Sequence, residues 1–151
     1  MTIDPTLLPL LRDEARRVLQ SFLGSHDETP TALGFVFALY NVTPAFDLCA
    51  HFGPLAEDED ERWNSGDYDF PAGLSGAHHE LGPTFLARFS ELHAQAQAEP
   101  QHGPIYRGIV ELCMQVLRDL RLEGLVPSDI DLNVSEVGDP SDVVAKRHSA
   151  I

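Results

Sequence analysis

Positive charge is scarce in this chain. Lysine and arginine together number 10 in 151 residues, against 24 aspartates and glutamates, for a formal net charge of −14. Surfaces that grip phosphate need clustered Lys and Arg, so this balance argues against nucleic acid as a ligand. It argues equally against anionic membrane surfaces, and no apolar run approaches the roughly 20 residues of a membrane span. Cysteine is almost absent, with only Cys49 and Cys113. Both lie in apolar, regular-looking segments. One disulfide is possible in principle, and a reduced pair of small core residues is the expectation. The N-terminal residues read as an amphipathic helix carrying Asp13 and Glu14, not as a signal peptide, so the cytoplasm is the expected compartment. Short catalytic signatures are missing too: there is no Gly-x-Ser-x-Gly elbow, P-loop, HExxH or CxxC.

What is present is ordinary for a globular domain. Hydrophobic residues make up 43% of the chain, which excludes a wholly disordered polymer. The length suits one domain, 1–151, able to bury most of its apolar surface without a metal or disulfide staple. No internal repeat and no interdomain linker is visible.

Asp4-Pro5 opens a helix, with Asp as N-cap and Pro at the first helical position. Leu7, Leu8, Leu11, Ala15, Val18, Leu19 and Phe22 then recur at helical spacing, and Gly24 is the expected C-cap. After a polar loop, residues 33–40 are apolar on both alternating faces and rich in β-formers, the pattern of a buried central strand. Residues 46–52 alternate, with Phe46, Leu48, Ala50 and Phe52 on one face. Thr43-Pro44 supplies the turn of an antiparallel hairpin. Two helices follow, at residues 83–98 (Phe85, Leu86, Phe89, Leu92, Ala96) and 105–123 (Ile109, Leu112, Cys113, Val116, Leu117, Leu120). Gly124 caps the second. Residues 129–134 alternate strictly, which predicts a strand with one wet face. Gly138-Asp139-Pro140 begins a last turn or short helix. The resulting expectation is an α+β fold, a small, mostly antiparallel sheet packed by helices, in the order α-β-β-(acidic loop)-α-α-β-α. A further strand is expected near residues 67–70.

Residues 54–80 break this regularity. They hold eight acids and one arginine, so half of the net charge sits in 27 residues. Connections of that length are usually functional or disordered. Carboxylates at Glu57, Asp58, Glu59, Asp60, Glu61, Asp67 and Asp69 would steer a cationic partner. Trp63, Tyr68 and Phe70 are the residue types that anchor interfaces once desolvated. The plainer alternative is a solvated charge run with Trp63 and Phe70 in the core.

The residue order also resembles a known family. An N-terminal helix precedes a hydrophobic hairpin and an acidic stretch with Arg62-Trp63 and Asp67-Tyr68. Two helices follow, then a strand ending Val134-Ser135-Glu136, and a tail with Asp139-Pro140 and Arg147-His148-Ser149. Over roughly residues 8–150 this resembles the bacterial domain-of-unknown-function family 4303, whose members have been suggested to act as immunity proteins in polymorphic toxin systems. The resemblance implies an α+β domain that binds and neutralises a toxin, and it carries over no catalytic residue.

Other chemistries are less well served. Asp58, Asp60, Asn64 and Asp67 are hard oxygen ligands close in sequence, but Arg62 and the glycine spacing break the EF-hand pattern. Zinc would draw on Cys49, His51, His78, His79, His93, His102 and Cys113; Cys49 and His51 share a strand face and could meet Cys113 or His93. Cys113 with His93 or His102 would make a nucleophilic dyad, yet Cys113 sits among helix leucines where a packed thiol is ordinary. Asp67 and Asp69 could do acid–base work, though nothing separates them from solvated loop carboxylates. No metal, cofactor or catalytic residue is therefore expected. The favoured reading is a non-catalytic module binding a cationic protein. The alternative is a small enzyme or ligand-binding domain with a cleft between the sheet and the middle helices.

Overall fold

The computed structural model describes residues 3–25, 30–51, 53, 54, 57, 81–126 and 128–136, with the backbone alone for 22–25. Asp4 and Pro5, expected as N-cap and first helical residue, lie in a turn just ahead of the first helix, which begins at Leu7; Asp4 holds that turn. Its Oδ1 accepts hydrogen bonds from the Thr6 backbone N (2.9 Å) and Oγ1 (2.8 Å), satisfying a donor that the first turn leaves open. These bonds hold the Asp4 carboxyl below its ordinary pKa. Helix α1 runs over Leu7–Ser25 and buries Leu7, Leu11, Ala15, Val18 and Leu19. It continues through Gly24, the expected cap, by one residue.

Strand β1 (Ala32–Ala38) is buried along its whole length, as expected for a central strand. β2 (Ala45–His51) pairs with it antiparallel, setting Phe37 opposite Phe46 and Phe35 opposite Leu48. β3 (Asp131–Glu136) lies on the other side of β1, giving the order β2-β1-β3. β1 and β3 are parallel, so the three-stranded sheet is mixed: one pairing is antiparallel and one parallel. The connection explains the difference. A short turn can only return a strand antiparallel, whereas the helix pair between β2 and β3 is long enough to carry the chain back to the starting end of β1.

That pair comprises α2 (Pro83–Ala96) and α3 (Pro104–Leu122), each with Pro at its start, where the missing N–H costs nothing. α3 has Glu123 as its C-cap, and Gly124 follows at φ +78°. Gly124 N bonds to Arg121 O (3.0 Å) and Leu125 N to Leu120 O (3.2 Å), the paired closure of a Schellman motif.

All three helices cover one face of the sheet. Leu33, Phe35, Phe37, Leu48, Ala50, Leu132 and Val134 belong to one apolar core with the helix stripes. Phe46 is its hub: its ring centroid lies 4.9 Å from those of Phe85 and Phe89 and 5.5 Å from that of Phe35. The opposite face carries the small cluster Ala32, Val36 and Cys49. Cys113 belongs to the helical side, so the sheet separates the two thiols, and both are free and buried. Burial pushes both thiols up from their ordinary pKa.

One expectation fails in an informative way. β3 begins two residues later than its pattern suggested, and its polar face is not wet. Asp131, Asn133 and Ser135 are all buried, and so is Glu136 on the opposite face beside Phe37. Alternation reports which residues share a face, not whether water reaches it. The expected last helix, the extra strand near residues 67–70, and Phe52 lie outside the described residues.

Candidate partner-binding site

The acidic segment leaves from the end of an edge strand, and that exit is fastened. Thr31 N donates to His51 O (2.8 Å), and Thr31 Oγ1 donates to His51 O (3.2 Å) and Gly53 O (2.8 Å). His51 Nε2 donates to Pro54 O (2.9 Å). Gly53 sits at φ +84°, a backbone state that side-chain-bearing residues rarely adopt. The chain re-enters at Leu81, which is buried, and at Gly82, whose N donates to Glu14 Oε2 (2.6 Å). Leu81 lies beside Pro44, Ala45 and Phe46. The two fastenings therefore sit at opposite ends of β2.

Of the residues singled out by composition, Glu57 is exposed. Asp58, Glu59, Asp60, Glu61, Trp63, Asp67, Tyr68 and Asp69 lie outside the described residues, as do Phe70, His78 and His79.

The described residues do reveal how charge is distributed around these anchors. All seven described arginines belong to the helices: Arg12, Arg16 and Arg17 on α1, Arg88 on α2, and Arg107, Arg118 and Arg121 on α3. Four of them are spent on ion pairs within the helical layer. Arg12 meets Asp119 (2.9 Å), and Arg16 bridges Asp13 (2.8 Å) and Glu123 (2.6 Å). Arg17 meets Glu14 (3.0 Å), and Arg88 meets Asp4 (2.6 Å). The hydrogen bonds to Arg16 hold the Glu123 carboxyl below its ordinary pKa. Counting α1–α3 with their flanking and linking residues, eight acids face seven arginines, which nearly cancel. The strands and their flanking residues hold Asp47, Glu57, Asp129, Asp131 and Glu136, with no lysine or arginine among the described residues. Arginine is thus confined, among the described residues, to helices whose own acids nearly cancel it, while the described strands and their flanks carry acids and no lysine or arginine.

Composition alone could not show two further features. The first is a polar row on the face of the sheet that faces away from the described helices. The register places His51, Ala32 and Asp131 side by side, then Cys49, Gly34 and Asn133, then Asp47, Val36 and Ser135. The second is a cleft of about 250 Å³ between β2 and α2, lined by Pro44, Phe46, Asp47, Leu86, Phe89 and Ser90 among others.

Among the described residues, the zinc and dyad arrangements do not assemble. Cys49 and His51 share a face of β2, but Cys113 lies across the sheet from them. His93 Nε2 donates to Asn41 O (2.7 Å), and the His102 ring packs against Tyr106 at 4.4 Å. A buried thiol whose anion is disfavoured is a poor nucleophile. Among the described residues, no three His, Cys, Asp or Glu side chains gather as a metal would require, and no helix is long and apolar enough to cross a membrane.

No protein-family model, curated protein or solved structure matches this chain.

Proposed function

We propose that this chain is a non-catalytic protein-binding module that docks a cationic protein through an acidic surface, in the manner of an immunity protein neutralising a basic toxin. The supporting observation is the partition of charge: every described arginine is on the helical layer, and four are held in ion pairs there. No lysine or arginine belongs to the described strands or to the described residues that flank them, Glu57 included. Glu57, Asp58, Glu59, Asp60, Glu61, Asp67 and Asp69 steer the partner, and Trp63 and Tyr68 anchor it. A nuclease toxin, whose cleft is basic because it grips phosphate, fits such a surface.

The test is co-purification with a toxin encoded beside this chain, at low and high salt. Replacing residues 57–61 together by alanine is expected to slow association by about tenfold or more at low salt, and high salt should do the same to the unaltered chain. Association that ignores salt and survives the replacement rejects the proposal.

A second reading, a small enzyme or ligand-binding domain, draws on the cleft between β2 and α2. Asp47 and Ser90 are the polar residues in its lining, a thin supply of converging groups for chemistry.

A further inference from the structure

We draw no further inference here: the strongest candidate, the cavity of about 250 Å³ where the start of α1 meets α2 and Ile105 of α3, has its Arg88 already held by Asp4 (2.6 Å), and nothing in the structure shows what covers its apolar floor.

Discussion

Phe46 shows how much one side chain can carry here. It occupies the one position where strand alternation, the hairpin register and both aromatic residues of α2 coincide, in edge-on contact with Phe85 and Phe89. Edge-to-face geometry adds to simple burial. Phe46→Ala should lower unfolding stability by about 3–5 kcal/mol, measured by urea denaturation, with the midpoint shifted and the slope retained. Sequence alternation assigned Phe46 to the inner face, but which rings it would meet was invisible, because helical spacing says nothing of which strand a helix crosses. The two cysteines teach the reverse lesson. Each was legible as a packed thiol from its apolar neighbours, while their separation by the sheet depends on how three distant elements stack.

At the scale of elements, helix ends were the most legible feature, because capping is local chemistry. Asp4 bonds the turn just ahead of α1, and Gly124 follows α3 where its residue type predicts. Gly124→Ala is a clean test of the second. A Cβ there meets nothing within 4 Å, so only the φ of +78° is opposed. The expected cost is about 1 kcal/mol, read from thermal or urea unfolding. Gly82 differs, since a Cβ there would lie 2.5 Å from Glu14 Oε2, on the very atom that fastens the re-entry of the acidic segment. The strands were recognised by pattern but not fully understood by it. β3 alternates from Asp131 to Ser135 and yet buries its polar side chains. Its parallel pairing was equally hidden, because hydrogen-bond direction follows from the route of the chain rather than from residues 131–136.

For the whole molecule, charge sets the response to pH. The Asp4 and Glu123 carboxyls are held below their ordinary pKa by Thr6 and Arg16 respectively. Groups shifted downward stabilise the fold above their unfolded pKa, and the stabilisation is lost as pH falls through the lower, folded value. Thermal melts should therefore decline as pH drops below about 4. Before that, partial protonation of the 14-unit excess of acids relieves self-repulsion. Stability should accordingly rise modestly from neutral pH before it falls. A monotonic decline from pH 7 would show that the acidic excess is not repulsive in the folded state.

Some properties of this protein follow from composition and order alone: its acidity, its element types, its caps, and the crowding of carboxylates into residues 54–69. Each depends on groups within a few residues of one another, or on simple counting. Tertiary structure alone decided that β3 runs parallel to β1, that the polar face of β3 is buried, and that the thiols are held apart. It also decided which distant acids the helix arginines meet, Asp119 for Arg12 and Glu123 for Arg16. Those outcomes arise from packing distant segments, and a carboxylate's electrostatic surroundings are set by which distant arginine the fold brings within about 4 Å of it.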